Sequence, residues 1–202
     1  RDRYYHMDYE VLPGFRPKWG WRIVDVGAFI GLYTLRAAKL VGGGGFVVAI
    51  EPYYPSYRIL ELNIRSNGLG NVRLLRAALS SHAGTAELLV PASPINATLS
   101  PDHAETYGGV LKRVEVRCVP LDGLLTALRR VDLLKVDVEG LEQEVIEGSK
   151  LLAPERVHRV VVEVHLPHVR PSEVANALED RGYNVVVHLS DEAPSQAFTY
   201  AF

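Results

Sequence analysis

Short apolar runs alternate with longer segments of helical periodicity along most of this chain. Residues 22–26 and 46–50 are apolar, β-branched runs typical of buried parallel strands, and the segment between them has the length of one helix. Because strands that alternate with helices build a parallel sheet covered on both faces, the pattern predicts an α/β fold. The other predicted strands of this kind lie at residues 72–78, 132–137 and 159–164, and the other predicted helices at 55–67, 121–129, 141–152 and 172–181.

The remaining β pattern is of a different kind. Residues 113–119 alternate apolar and charged positions, which predicts a half-exposed strand, and residues 84–90 form a further β segment. Residues 183–189 and 196–202 alternate like an antiparallel pair at the end of the chain. Residues 91–109 contain three prolines and two glycines, and a loop of this length inside a compact domain is more often a functional lid than a passive connection.

Residues 1–21 form a lead-in segment to a single predicted domain at residues 22–202. Pro13, Gly14 and Pro17 interrupt any helix there. The aromatic residues of this segment either pack on the edge of the sheet or line a substrate pocket, and packing is favoured because aromatic side chains dominate cores and interfaces. They are Tyr4, Tyr5, Tyr9, Trp19 and Trp21.

The turn after the first predicted strand carries candidate chemistry. A dinucleotide-binding turn has glycines at its first, third and sixth positions, but here Phe29 and Leu32 occupy the third and sixth positions counted from Gly27. Glu51, at the end of the second strand, lies where a carboxylate can accept both ribose hydroxyl protons. A nucleoside without a pyrophosphate suggests S-adenosylmethionine. The alternative is a tight strand-to-helix turn in another α/β protein, with Glu51 as a solvated acid.

Polar residues also follow several other predicted strands. Ligands of open α/β sheets bind beyond the carboxyl ends of the strands, so these residues are expected in one crevice. Their common location argues for an enzyme. The residues are Asp25, Gly27, Glu51, residues 77–80, Asp137, Glu139, Glu163 and His165.

Composition excludes several function classes. The chain has 202 residues and a net charge of −2 with both signs interspersed, so it lacks the basic stripe of a nucleic-acid binder and no nucleic-acid partner is predicted. The one cysteine, Cys118, lies in an apolar alternating run and gives neither an intrachain disulfide nor a thiolate metal cluster. Charges interrupt every long apolar run and no signal peptide is visible, so we predict no membrane span and a cytoplasmic location.

Five stretches of the chain resemble the FkbM family, which comprises class I, S-adenosylmethionine-dependent methyltransferases that act mostly on hydroxyl oxygens. The most specific is LKVDVEGLE at residues 134–142, and the family usually has Asn where Phe29 stands. The resemblance implies a Rossmann-like, mostly parallel seven-stranded sheet with helices on both faces and a C-terminal antiparallel hairpin. The other stretches are VDVGAFIGLYT at 24–34, IEP at 50–52, LNIRSNGLGNV at 62–72 and LDGLL at 121–125.

The resemblance also implies roles for individual residues. Asp25, Gly27 and Gly31 would shape the methionine end of the cofactor site, and Glu51 would hold the ribose. Ala78 and its neighbours would border the adenine. The remaining predicted cofactor contacts are Ala28, Phe29 and Pro52.

For catalysis, Asp137 is the first candidate for orienting or deprotonating a hydroxyl, His165 the second, and Glu139 the third. Glu142 is expected to favour the N-terminal dipole of the following helix. The alternatives to these catalytic roles are that Asp137 is a structural cap for the following turn and that His165 is an ordinary residue at a strand end. Lys135 is expected to pair with a carboxylate. We predict no metal, although Asp137 and Glu163 could supply two carboxylates to a hard cation.

The predicted activity is methylation of a hydroxyl on a sugar, a lipid or another small molecule, so the expected partner is a small-molecule or glycan acceptor. Two alternatives stay open. One is a cofactor-binding protein without catalysis, and the other is a nucleotide-dependent oxidoreductase, which the glycine spacing disfavours. The sequence does not identify the acceptor or the oligomeric state.

Overall fold

A computed structural model describes residues 8–190 and 193–202, so Tyr4 and Tyr5 lie outside the described residues. Its strands are β1 (Arg22–Val26), β2 (Phe46–Ile50), β3 (Val72–Leu75), β4 (Ala78–Leu79), β5 (Gly84–Val90), β6 (Lys112–Val119), β7 (Leu133–Val136), β8 (Val160–His165), β9 (Val185–Leu189) and β10 (Gln196–Ala201). Its α-helices are α1 (Leu32–Val41), α2 (Tyr54–Ser66), α3 (Pro101–Thr106), α4 (Leu121–Leu128), α5 (Glu142–Glu147) and α6 (Pro171–Glu179).

The main sheet has seven strands in the order β3-β2-β1-β7-β8-β10-β9. The first five are mutually parallel, whereas β10 runs antiparallel to both β8 and β9. This arrangement confirms the predicted seven-stranded sheet and its C-terminal hairpin. Strand β1 lies between β2 and β7, and in this register Asp25 lies opposite Lys135.

Helices cover both faces of the sheet, and the four parallel strands β1, β2, β7 and β8 are buried on both sides apart from the first residues of β1 and β2. One core cluster joins the strands to α4, α5 and α6 through residues such as Leu125, Ile146 and Leu178. The opposite face packs against α1, and Ala37 and Val41 lie in that cluster. The described residues include no helix that is long and apolar enough to cross a membrane.

A second sheet of three strands, in the order β4-β6-β5, stands apart from the main one. The single strand predicted at residues 72–78 is therefore wrong, since the chain leaves the edge of β2 after Leu75 and Ala78 pairs with Cys118 instead. In β6, Val116 and Cys118 are buried while Arg113, Glu115 and Arg117 are exposed, which confirms the predicted alternation.

Neither of two polar side chains near the starts of helices caps its helix. Asp122 does not cap α4, which follows Pro120; its carboxylate instead accepts hydrogen bonds from Ser149 and from the backbone of residues 150 and 151. Ser172 does not cap α6, because that helix already begins at Pro171. Helix α5 ends at Glu147 rather than near residue 152, with Gly148 as the residue that closes it.

The described part of the lead-in segment packs on the main sheet. Tyr9 and Phe15 are buried in the same cluster as α1, and the ring of Phe15 makes an edge contact with Tyr200 at 4.9 Å between centroids. Trp21 packs against this cluster, whereas Trp19 is 76% exposed. Packing, the favoured interpretation of these aromatic residues, therefore holds for Tyr9 and Trp21 but not for Trp19.

Candidate active site

A cavity of about 380 Å³ lies at the carboxyl ends of β1, β2, β7 and β8, and this volume is within the usual range for small-molecule sites. It collects most of the residues that the sequence assigned to the site. Asp25 and Gly31 do not line it. Those that do are Gly27, Ala28, Phe29, Glu51, Pro52, Ala78, Asp137, Glu139 and His165.

The glycine bend after β1 is required by packing. Gly27 has a φ of +72°, and a Cβ placed on it would lie 1.8 Å from the backbone oxygen of Asp137. Gly31 has a φ of +92°, and its Cβ would lie 2.4 Å from Cδ1 of Leu60. Both backbone conformations are ones that residues with a side chain rarely adopt. The bend thus fits tightly between β7 and α2, and Gly31 contributes to the site only by supporting that bend.

Asp25 lies beneath the bend and is fully buried. Its Oδ2 accepts a hydrogen bond from the hydroxyl of Thr34 at 2.6 Å, and its Oδ1 lies 3.2 Å from Nζ of Lys135. Asp25 therefore fixes the start of α1 and a buried ammonium group rather than facing the cavity.

Glu51 faces the bend from the end of β2. Its two carboxylate oxygens accept hydrogen bonds from the backbone N–H groups of Phe29 at 2.9 Å and Tyr53 at 2.8 Å. Burial raises the pKa of Glu51 to about 7, although both hydrogen bonds oppose that rise. Phe29 has a positive φ of 48°, so its N–H points toward Glu51 while the residue lines the cavity. The alternative of a solvated Glu51 is wrong, because only 6% of this residue is exposed.

Lys135 connects the bend to the opposite wall. Its ammonium group lies 3.2 Å from Oδ2 of Asp137 and 4.8 Å from the centroid of the Tyr9 ring. Burial lowers the pKa of Lys135, but the carboxylates of Asp137 and Asp25 outweigh that effect and the net shift is upward. The predicted pairing of Lys135 with a carboxylate is confirmed.

Tyr9 both packs on the sheet and lines the cavity, so the less favoured interpretation of the lead-in aromatic residues also holds for it. Its hydroxyl contacts Oδ2 of Asp137 at 3.1 Å and forms a short hydrogen bond to Oε2 of Glu163. Burial, followed by the nearby carboxylates, raises the pKa of Tyr9 well above its usual value, so the phenol stays protonated and donates. The lead-in segment thus contributes directly to the cavity wall.

His165 is the centre of a group of carboxylates. Its Nδ1 lies 2.9 Å from Oε1 of Glu142, and its Nε2 lies 3.4 Å from Glu139, 3.7 Å from Glu163 and 3.9 Å from Asp137. Burial lowers the pKa of His165, but Glu139 and the other carboxylates outweigh burial and raise it strongly.

The carboxylates around His165 respond to the same environment. Burial is the main cause that raises the pKa of Glu163 and that of Glu139, and the charge of Asp137 adds to both. Glu142 is the first residue of α5, as predicted, but it is fully buried and its carboxylate also accepts from the N–H of Gly140. It therefore orients His165 in addition to any effect on the helix dipole.

The segment predicted as a lid borders the cavity. Residues 94–99 and Tyr107 line it, and within this segment only residues 94–96 and α3 are helical. His103, on α3, is buried and contacts Oε2 of Glu139 at 2.7 Å, while the Thr98 hydroxyl donates to the backbone oxygen of Glu139 at 2.6 Å. Glu139, at a positive φ of 55°, joins the lid to the group around His165.

The residues present fit the cofactor that the sequence suggests. A buried carboxylate stands at the tip of the second strand, and Ala78, Leu79 and Leu88 give the cavity an apolar wall suited to an adenine ring. The carboxylates of Asp137 and Glu163 favour a cationic ligand group such as a sulfonium. Gly27, Ala28 and Phe29 would hold the cofactor at the bend, and Glu51 would hold its ribose.

Comparisons with known proteins identify the family. A family model described as the methyltransferase FkbM domain matches residues 25–185. The chain is 35% identical over 204 residues to methyltransferase sdnD of Sordaria araneosa, which covers 86% of this chain and 78% of that protein. It is 28% identical over 192 residues to the 31-O-demethyl-FK506 methyltransferase FkbM of Streptomyces tacrolimicus, covering 81% of this chain and 73% of that protein.

Solved structures share the fold. The methyltransferase FkbM from Methylobacillus flagellatus KT matches with a TM-score of 0.65 at 15% identity, over 90% of this chain and 43% of that one. A SAM-dependent methyltransferase from Aquifex aeolicus matches with a TM-score of 0.57 at 19% identity, over 96% of this chain and 90% of that one. The chain belongs to the FkbM methyltransferase family and is an S-adenosylmethionine-dependent methyltransferase.

Proposed function

We propose that this methyltransferase methylates a hydroxyl oxygen, and that its acceptor is a small molecule such as a sugar, a lipid or a polyketide. One observation carries the proposal: Oδ1 of Asp137 has no hydrogen-bond partner among the residues that the structure describes, although the other oxygen of the same carboxylate contacts both Lys135 and Tyr9. Asp137 lines the cavity, and a bound hydroxyl would supply the partner that this buried oxygen lacks.

The cofactor supplies a methyl group on a positively charged sulfur. In the transfer, the acceptor oxygen forms a bond to the methyl carbon, the carbon–sulfur bond breaks and its electron pair stays on sulfur. Asp137 orients the hydroxyl and takes up its proton as the oxygen loses it. His165 and Glu139 lie beside that carboxylate. Nε2 of His165 is 3.9 Å from Oδ1 of Asp137 and 3.4 Å from Oε2 of Glu139.

The lid indicates the kind of acceptor. Ile95, Leu99 and Tyr107 line the cavity on the side of residues 91–109. The part of the acceptor beyond the reacting hydroxyl would therefore contact a largely apolar wall. An acceptor with an apolar body and a hydroxyl fits this wall better than a fully polar sugar. The similarity to a methyltransferase whose name specifies 31-O-demethyl-FK506 supports methylation of a hydroxyl oxygen.

The test is incubation with cofactor labelled on the methyl group and a panel of acceptors. The panel includes a macrolactone alcohol, a lipid alcohol and a glycoside, each beside a matched compound that lacks the hydroxyl. We expect label in at least one hydroxylated compound and none in its matched partner. Transfer to nitrogen or carbon would contradict the proposal, and binding of cofactor without turnover on any acceptor would favour a protein that binds the cofactor without catalysis.

A further inference from the structure

Unpaired basic side chains collect at the edge of the main sheet that lies opposite the cavity. The parallel strands begin at this edge, and Lys18, Arg22 and Arg159 lie at or shortly before the starts of β1 and β8. Lys18 and Arg22 are exposed and Arg159 is half-buried. None of these three side chains forms a salt bridge with a carboxylate in the described part of the chain.

The ring of Trp21 holds two of these cations in place. Nζ of Lys18 lies 5.6 Å from the ring centroid, and the guanidinium carbon of Arg159 lies 5.0 Å from it. A cation over an aromatic face is attracted by the ring but keeps its full charge. The two side chains are therefore ordered without being neutralised, and both charges remain available to an anionic partner.

An acid at this edge already has partners within the protein. Asp132 accepts hydrogen bonds from the backbone N–H of Arg22 at 2.8 Å and from the guanidinium group of Arg130 at 2.7 Å. Its side chain is 6% exposed, and its single negative charge balances one basic side chain. We call Lys18, Arg22, Arg130 and Arg159 the basic edge. It gives a positive surface to a chain whose net charge is −2.

An exposed tryptophan stands beside the basic edge. Trp19 is 76% exposed, yet its ring lies against the backbone of residues 42–44. A Cβ added to Gly44 would lie 2.5 Å from Cζ2 of the ring, so glycine is required there for the ring to keep this position. The indole is therefore held in a fixed direction at the surface, with part of its ring on the glycines and most of it open.

Phe202 adds apolar surface to the same edge. In the antiparallel pairing of β10 with β8, Ala201 lies opposite Val160, so Phe202 follows at the level of Arg159. Phe202 is 47% exposed, and its ring makes an edge contact with Phe15 at 6.3 Å between centroids. The edge thus combines exposed aromatic rings with unpaired cations.

We propose that this edge docks on the surface of a bilayer that contains anionic lipids. Trp19 would lie among the head groups, where tryptophan is enriched in membrane proteins, and the basic edge would bind lipid phosphates. Charge complementarity identifies this partner, because clustered Lys and Arg residues are attracted to the negative surface potential of such a bilayer. Attachment at an interface strengthens with buried apolar area and with electrostatic attraction, and this edge supplies both.

Two other partners fit the edge less well. A second copy of the chain related by two-fold symmetry would place like charges against each other, which opposes association. A nucleic acid bound here would not be drawn toward the reacting groups, because carboxylates line the cavity at the opposite edge. A bilayer contacts a single face. The five residues of β1 span roughly 15–20 Å, so a docked protein would present its cavity to water at about that distance from the lipid.

The experiment uses the full chain and vesicles made of phosphatidylcholine alone or of equal parts phosphatidylcholine and phosphatidylglycerol. Sedimentation of the vesicles measures the fraction of bound protein, and acrylamide quenching of tryptophan emission measures contact of the indole with water. We expect at least about tenfold tighter binding to the anionic vesicles, weaker binding as the salt concentration rises, and a blue-shifted, protected emission. Equal binding to both kinds of vesicle, or no binding to either, would overturn the proposal even if no variant could be purified.

Variants then test which edge meets the lipid. W19A should weaken binding to the anionic vesicles at least about tenfold, since the indole provides the apolar contact. K18Q and R22Q should each weaken it about fivefold, the effect expected for one basic residue near a charged bilayer. R117Q removes an exposed arginine on β6, outside this edge, and should bind as the unaltered protein does. An equal loss in R22Q and R117Q, or no loss in W19A, would overturn the proposal.

Further measurements separate a bilayer from the other partners. Circular dichroism and affinity for S-adenosylhomocysteine should be unchanged in W19A, K18Q and R22Q, because the cavity lies at the other edge of the sheet. Tighter binding to polyuridylate than to the anionic vesicles would assign the edge to a nucleic acid. A dimer that W19A converts to a monomer in analytical ultracentrifugation would assign it to a second copy, and either result would overturn the membrane proposal. Docking does not involve the acceptor, so each of these results leaves the O-methylation proposal as it stands.

Discussion

The two halves of the cavity are built by different means. On the cofactor side, Glu51 is held by two backbone N–H groups, one 22 residues away and one 2 residues away in sequence. On the acceptor side, Glu163 is held by the hydroxyl of Tyr9, 154 residues away, and Asp137 by Tyr9 and Lys135. The cofactor side thus depends on the course of the backbone, and the acceptor side depends on side chains from distant segments. Substitutions should therefore affect the two halves in different ways.

The largest effect is expected on the acceptor side. Asp137→Asn keeps the shape of the side chain but removes its charge, so we expect turnover to fall by about 10²- to 10⁴-fold, the usual contribution of a positioned acid or base. Affinity for S-adenosylhomocysteine should change by less than about threefold. Single-turnover kinetics and calorimetry measure the two quantities. Asp180→Asn, at an exposed position after α6, is the matched control, and an equal loss of turnover in both variants would remove Asp137 from the site.

The next largest effect is on folding at the bend. In Gly27→Ala, the new Cβ would meet the backbone of Asp137, and the positive φ would add strain, so we expect a loss of at least about 3 kcal/mol in the free energy of unfolding. For a domain of this size, that corresponds to a decrease in Tm of about 6–12 °C. Thermal unfolding followed by circular dichroism measures it.

Gly68→Ala separates strain from steric conflict. Gly68 also has a positive φ, at +64°, but no atom of the described residues lies within 4 Å of the position of a Cβ there. The expected loss is therefore only about 1 kcal/mol, from backbone strain alone. If both substitutions lowered Tm equally, the close approach of the bend to β7 would not be what requires glycine at position 27.

A smaller effect is expected from Glu51→Ala. Hydrogen bonds to a charged group contribute about 1.5–3 kcal/mol, so removing the carboxylate should weaken S-adenosylhomocysteine binding by about 10- to 100-fold. Isothermal titration calorimetry measures this, with the exposed Glu155 changed to Ala as the control. Tight binding that is unaffected by Glu51→Ala would mean that the ribose does not lie at this carboxylate.

The same contrast between the two halves decides what the sequence could predict. Alternating strands and helices, the glycine bend and Glu51 depend on local patterns, and the structure brings these elements together as expected. Tyr9 belongs to a segment in which apolar residues follow neither a helical nor a strand period, so nothing in the sequence indicated that its hydroxyl would reach Glu163. Asp25 follows the same strand-end pattern as Asp137, yet its position in β1 directs it toward Lys135 and away from the cavity. Strand register decides whether an acid at the end of a strand points into the cavity or into the sheet. The sequence pattern alone did not determine that register.

The smallest expected effect is a pH dependence that belongs to the cofactor side. The pKa of Glu51 in the folded protein is about 7, raised by burial and by Asp137 and opposed by Lys135 and two backbone N–H groups. Because this value lies above the ordinary 4.5, the folded state retains the proton longer than the unfolded state, and the contribution of Glu51 to stability decreases as pH rises from about 4.5 to about 7.

Binding of the cofactor reverses that preference. Ribose hydroxyls donate hydrogen bonds to the carboxylate, which favours its charged form, so affinity for S-adenosylhomocysteine should increase with pH up to about 7 and level off above it, by up to about tenfold between pH 6 and pH 8. Calorimetry across this range measures the change. Glu51→Gln removes this titration and leaves that of Glu163 in place, so the slope should disappear in the variant if it belongs to the cofactor side. A slope that persists in Glu51→Gln would instead assign the pH dependence to the carboxylates around His165.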